Sequence, residues 1–186
     1  EFCLLGSMVL GVFWPSFTSS VVSPELGYST VLNTILALCG STIATFIFSR
    51  LIRGKVEIED IANAALAGGV AIGSTCSTAN PGFAMVIGIC AGVLRPLGFA
   101  VLAPKVCKLI RGTDTCGVHN LHGMPGLLGG LFAIAVTGNV GVQLGAIVAT
   151  VVVGLVLGRI CGAILGLFGT KEDTYGDEDD FILEEA

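Results

Sequence analysis

Apolar residues fall in long runs divided by short polar breaks. Charge-free stretches cover Phe2 to Pro24, Leu26 to Ser49 and Ile61 to Leu94, and no Asp, Glu, Lys or Arg occurs from Thr115 to Gly158. Each stretch is at least as long as the roughly 20 residues a helix needs to span hydrocarbon. Turn formers and charge divide them into six predicted segments: Phe2 to about Val22, Tyr28 to Ile52, Ile61 to Thr78, Phe83 to Val106, Thr115 to Val136 and Gly141 to Phe168. The breaks read "SSVVSPELG", "RGKVEIED", "CSTANPG", "KLIRGTD" and "VTGNVG". Segments three and five are short or glycine-rich. The pattern predicts an all-α integral membrane protein, with six transmembrane helices over residues 1–169 and a separate tail over 170–186.

Basic residues set an expected orientation. Arg50, Arg53 and Lys55 fill one break, Lys105, Lys108 and Arg111 another, and Lys171 follows the last segment, while the other three breaks have none. By the positive-inside rule the basic breaks face the cytoplasm, as does the tail. The chain is 53% hydrophobic and 12% charged, with mean hydropathy +0.90, far from the soluble average. Its net charge of -5 comes from the tail, where eight of the fourteen acids lie between Glu172 and Glu185. The nine Lys and Arg are scattered or sit at segment edges, so no nucleic-acid surface is expected. Cys3, Cys39, Cys76, Cys90, Cys107, Cys116 and Cys161 are odd in number and mostly inside apolar runs, which suits small apolar fillers better than a disulfide framework. An apolar segment starts at Phe2 without an initiator Met, a basic leader or a cleavage site, so the sequence is expected to be a piece of a longer protein.

Glycines at four-residue spacing give lipid-embedded helices a way to approach closely. They occur at Gly69/Gly73, Gly88/Gly92, Gly126/Gly130 and along Gly154, Gly158, Gly162 and Gly166. Packing within the chain is the favoured reading, and an oligomer interface is the alternative.

The chemistry-bearing residues gather in one place. "HNLHGMPG" holds both histidines of the chain, His119 and His122, with Asn120 between them. On an α-helix these imidazoles share a side, His122 about 4.5 Å deeper by the standard rise. Pro125 has no N–H to give the carbonyl of Leu121, which leaves an acceptor in the same place. A neutral imidazole both donates and accepts, and desolvation keeps it neutral, so it suits a narrow path for a small polar molecule. A cation would lose its hydration there at high cost, whereas its neutral conjugate base would not. Ordinary core histidines are the plainer alternative. Asp114 is expected to cap the fifth helix. A metal site built from Cys116, His119 and His122 would need a further ligand, and no familiar ligand spacing is present; neither metal nor cofactor is expected. In "FWPSF", Trp14 and Phe17 form either an aromatic constriction or an interfacial belt. Arg95 and Arg159, inside segments four and six, are expected to snorkel toward the cytoplasm. The tail is expected to be solvated and disordered, with Phe181, Ile182 and Leu183 a candidate docking motif for a sorting or cytoskeletal partner.

"DTCGVHNLHGMPGLLGG", with "FWPSF", "NAALAGGVAIG" at Asn63 to Gly73 and the order of all six segments, resembles the Rh glycoprotein branch of the ammonium transporter (Amt/Rh) family. The resemblance implies a trimer, or a hetero-oligomer with other Rh chains, of eleven- or twelve-helix subunits built as two inverted halves. This chain corresponds to the C-terminal half. It implies an ammonium and ammonia channel, not an enzyme, in a plasma membrane. In that family two histidines, one from each half, face each other in the pore; His122 matches the second, and His119 is its neighbour. Phe17 matches the inner aromatic gate, Trp14 flanks it, and Asp114 matches a supporting acid. Arg95 is a departure from that helix's pattern. Two other readings stand beside conduction of ammonia: a non-conducting structural Rh protein, and a gas channel that also passes carbon dioxide.

Overall fold

The computed structural model describes residues 2–110, 112, 114 and 117–169. It divides into two units, residues 1–147 and 148–186. The first holds α1 (Phe2–Ser20), a 3-10 turn (Pro24–Leu26), α2 (Gly27–Arg53), α3 (Ile58–Ala62), α4 (Ala64–Ile72), α5 (Pro81–Leu97), a π-helical turn (Gly98–Leu102), α6 (Ala103–Ile110), a second π-helical turn (His119–Gly123) and α7 (Met124–Thr137). The last helix, α8 (Val140–Gly166), begins there. In the second unit its remaining side chains are all exposed, Arg159 included.

Among the described residues five stretches are long and apolar enough to cross a membrane: Phe2–Ser20, Pro24–Arg53, Pro81–Ile110, His119–Thr137 and Val140–Gly166. The third expected segment forms differently. It is split at Asn63 into α3 and α4 and then runs into turns through residues 73–79, because "GSTCSTA" is dominated by Gly, Ser and Thr, which favour helix less, and Asn80–Pro81 already opens the next helix. There the Asn80 side chain accepts from the Phe83 N–H at 2.9 Å, a cap followed by proline at the first helical position.

The core is made by α2, whose amphipathicity runs opposite to that of a soluble helix. Thr30, Thr34, Ala37, Ser41, Ala44, Thr45 and Ser49 face inward at helical spacing, while Leu32, Ile35, Ile43, Phe46 and Ile47 are exposed. With no hydrophobic gain available between helices in lipid, small inward residues let backbones meet and hydroxyls bond across. Gly88 and Gly92 of α5 lie against the backbone of Ala37 and Ser41, and Gly68 of α4 against Ala37. Asn33 donates to the carbonyls of Cys76 and Ala79 at 2.9 and 2.7 Å, pinning the turns after α4. Thr45 donates at 3.0 Å to the carbonyl of Gly92, the acceptor that Pro96 cannot serve four residues on. α2 stops at Gly54, whose φ of 76° gives the left-handed turn a side chain would resist.

Packing within the chain therefore uses Gly69, Gly88, Gly92, Gly126 and Gly130, each with a neighbour from another helix within 4 Å of its Cβ position.

Candidate functional site

The histidine segment is built from a cap, a wide turn and a proline. Asp114 accepts backbone N–H groups on both carboxylate oxygens, from Val118 at 2.8 Å and His119 at 3.0 Å. Gly117, at φ 64°, turns the chain between them and donates to the Asp114 carbonyl at 3.1 Å. Its lack of a Cβ matters twice, since a side chain there would also run into the ring of Phe99. From His119 to Gly123 the helix is π-helical, and the Met124 N–H closes on the His119 carbonyl. Pro125 follows and has no N–H to donate back into this turn. The other π turn, Gly98–Leu102, also runs into a proline, Pro104.

The α-helical turn expected across the histidines is thus replaced by a wider one. His119 and His122 are both exposed, and neither imidazole has a hydrogen-bond partner among the described residues. Asn120, expected beside them on the same path, is fully buried. Its Oδ1 stands 2.6 Å from the Cβ position of Gly98, and neither amide atom has a partner among the described residues. The segment is therefore seated by Asn120 and Leu121, with the imidazoles outside.

Trp14 and Phe17 meet edge to face, with centroids 6.0 Å apart and planes at 72°. The indole is turned inward onto Gly69 of α4, so Trp14 departs from the belt reading, and its Nε1–H is buried without a partner among the described residues. Phe17 is 62% exposed. No hydrogen bond or ring contact joins this pair to the histidines among the described residues. α4 lies between the two elements that carry them: Gly69 faces Trp14, while Val70 and Ala71 face Gly126 and Gly129 of α7.

Sequence reading missed a buried charge cluster. Arg95 does not snorkel; it is 0% exposed. Its Nη1 donates to Asp60 Oδ1 at 2.6 Å and its Nη2 to the Glu59 carbonyl at 2.6 Å. Asp60, equally buried, also accepts from Ser49 at 2.7 Å and pairs with Arg53 Nε at 3.3 Å. The guanidinium splits its donors between the Asp60 carboxylate and the Glu59 carbonyl, with Nε left without a partner among the described residues, and the counter-charge at hydrogen-bond distance is what makes the buried charge tolerable. The signal was present: Asp60 and Arg95 are the charges that flank the charge-free run from residue 61 to 94, and so are available to pair. Among the described residues no cluster of three or more His, Cys, Asp or Glu is arranged to hold a metal. Cys116, Phe181, Ile182 and Leu183 lie outside the described residues.

Membrane-length helices, joined through glycines and hydroxyls around a charge-free histidine segment, define a multi-pass helical membrane protein. The family model described as Ammonium Transporter Family matches residues 1–186, and the chain belongs to that family. It is 42% identical over 137 residues to ammonium transporter Rh type A of Rattus norvegicus, a match covering 72% of this chain and 30% of that protein. Against ammonium transporter Rh type B-A of Xenopus laevis the identity is 45% over 139 residues, 73% of this chain and 30% of that one. A solved structure, described as "Nitrosomonas europaea Rh50 and mechanism of conduction by Rhesus protein family of channels", superposes with a TM-score of 0.89 at 48% identity. That match covers 98% of this chain and 49% of the solved one, so the chain spans about half the length of that structure.

Proposed function

We propose that this chain supplies one half, the C-terminal one, of a Rh-type subunit that conducts ammonia after taking a proton from ammonium. The names of the similar proteins, ammonium transporters in rat and Xenopus, support the substrate. The likeness to the Nitrosomonas protein, which is described in terms of conduction by a family of channels, supports the mode. The observation that carries the reading is the pair of exposed imidazoles, without a hydrogen-bond partner among the described residues, on a turn pinned by Asp114, in a stretch with no charged side chain from residue 115 to 158.

The mechanism follows from desolvation. Ammonium reaches a vestibule bordered by Phe17 and Trp14, where hydration still stabilises the cation. Beyond it the passage is too apolar to hold a charge, so the proton passes to water of the vestibule and neutral ammonia enters. His122, with His119 beside it, offers a donor or an acceptor to each passing molecule, a role a neutral ring fills and an imidazolium would oppose. Ammonia is reprotonated at the far mouth. Subunits assemble as trimers, alone or with other Rh chains, in a plasma membrane with the basic breaks and the C-terminal tail in the cytoplasm.

The test is the complete subunit carrying this sequence, reconstituted in vesicles, with ammonia entry read as internal pH by stopped flow. His122→Ala abolishes or sharply alters the flux. Flux unchanged by the substitution overturns the reading. Absence of flux in the wild type supports the non-conducting structural alternative, and the same vesicles challenged with carbon dioxide test the gas-channel one.

A further inference from the structure

Three features outside the proposed mechanism converge on one corner of the fold. The first is the Asp60–Arg95 pair, buried and joined to Ser49, Arg53 and the Glu59 carbonyl. The second is Phe99, over whose ring the Arg95 guanidinium lies at 5.1 Å from the centroid. The third is a pair of close approaches: Gly117 against the edge of Phe99, and Gly98 against the buried amide of Asn120. Gly117 precedes His119 by two residues, and Asn120 stands between the histidines. The Gly98–Phe99 corner of the first π turn therefore forms the seat of the second π turn, and Arg95 is the group that holds that corner against α3.

We propose that Asp60, Arg95 and Phe99 act as positioning residues, a stack that fixes how the histidine segment sits and so sets the rate of permeation. The inference rests on the reading that His122 borders the passage. Its physical basis is mechanical. Two hydrogen bonds, one to the Asp60 carboxylate and one to the Glu59 carbonyl, fix the guanidinium plane, the cation holds the aromatic face beneath it, and an edge of that ring meets a backbone with no side chain to yield. Gly117 tolerates the approach only while its left-handed turn is kept, and that same turn brings the Val118 and His119 N–H groups onto Asp114. A displaced ring thus moves the start of the segment directly.

The experiment uses the complete subunit, with His122→Ala as the reference. Phe99→Leu removes the ring and leaves the Arg95–Asp60 pair intact; Phe99→Tyr restores a ring; Arg95→Met removes the charge. Each variant is measured for vesicle ammonia flux, for melting temperature in detergent, and for the ratio of His119 to His122 modification by diethylpyrocarbonate, read by mass spectrometry. The expected result is a flux lower by about 2- to 30-fold in Phe99→Leu, the span of couplings carried through packed side chains, with a changed modification ratio and both restored in Phe99→Tyr. Arg95→Met, if it folds, follows Phe99→Leu. A folded Phe99→Leu with wild-type flux and ratio overturns the inference while leaving the His122 reading standing. An unaltered flux in His122→Ala overturns that reading instead, and the modification ratio still decides whether the stack positions the segment.

Discussion

The region where α2, α4 and α5 meet and the region around the histidines are made of similar residues, small and mostly uncharged, yet they are organised in opposite ways. In the first, glycines lie on backbone, hydroxyls reach carbonyls on neighbouring helices, and buried charge is matched at hydrogen-bond distance. In the second, the helix widens, the imidazoles stand exposed, and the buried amide of Asn120 has no hydrogen bond among the described residues. The difference teaches that close fit and available polar groups are alternatives here. Where the packing is close, polar atoms without a partner among the described residues, such as Arg95 Nε and Thr30 Oγ1, are sealed away from any passing molecule; where the imidazoles stand exposed, the segment depends on its neighbours for shape.

The largest expected effect breaks the first region. Asp60→Ala leaves Arg95 at 0% exposure without its counter-charge, and removing one partner of a buried pair destabilises by about 3–5 kcal/mol. Thermal melting of the complete subunit in detergent checks this, and the double variant with Arg95→Met should recover much of the loss because it removes the stranded charge. A single variant that melts like the wild type would mean that the pair is not part of the tight region at all.

Next in size is one substitution made in both regions. A Cβ added at Gly88 runs into the Ala37 carbonyl, whereas at Gly123 it finds only the His119 ring at 3.6 Å, an ordinary contact. Gly88→Ala is expected to cost about 1–3 kcal/mol through overpacking. Gly123→Ala should stay within about 0.5 kcal/mol of the wild type. Equal melting shifts would erase the contrast between a closed region and an open one.

Smaller again is the loss of the cap. Asp114→Ala strips both carboxylate bonds from Val118 and His119, and a lost N-cap costs about 1 kcal/mol. Hydrogen exchange at residues 117 to 121 should rise, while exchange in α2 should not. Faster exchange in both would show that the histidine segment and the core open together.

Much of the fold was legible because membrane helices announce themselves by length: the runs ending near Ser20, Arg53, Ile110, Thr137 and Gly166 all appear as helices. What stayed hidden is position within the turn. Thr30, Thr34, Ser41, Thr45 and Ser49 repeat at helical spacing, but in a search for hydrophobic faces a polar stripe reads as interruption; only when lipid is taken as the solvent does it become the inner face. Arg95 was misplaced because snorkelling is the usual escape for a charge near a helix end, and here Asp60 lay within reach across the bundle. The chemistry at "HNLHGMPG" was visible in residue type and in Pro125, yet the π turn was not: a proline tells that a bond is missing, and not whether the helix will kink or widen to make good the loss.

The smallest expected effect is the most discriminating. His122 has no hydrogen bond to lose among the described residues and is exposed, so His122→Ala should change the melting temperature of the complete subunit hardly at all, within about 0.5 kcal/mol. If the same variant loses ammonia flux, the imidazole is retained for what it does to a permeant and not for what it does to the fold. If instead it destabilises by more than about 1 kcal/mol, the ring must be packed in the complete subunit, and a packed ring has no free nitrogen to offer. Melting and flux therefore have to separate at this position while they fall together at Asp60, and that divergence is what distinguishes a site from a core.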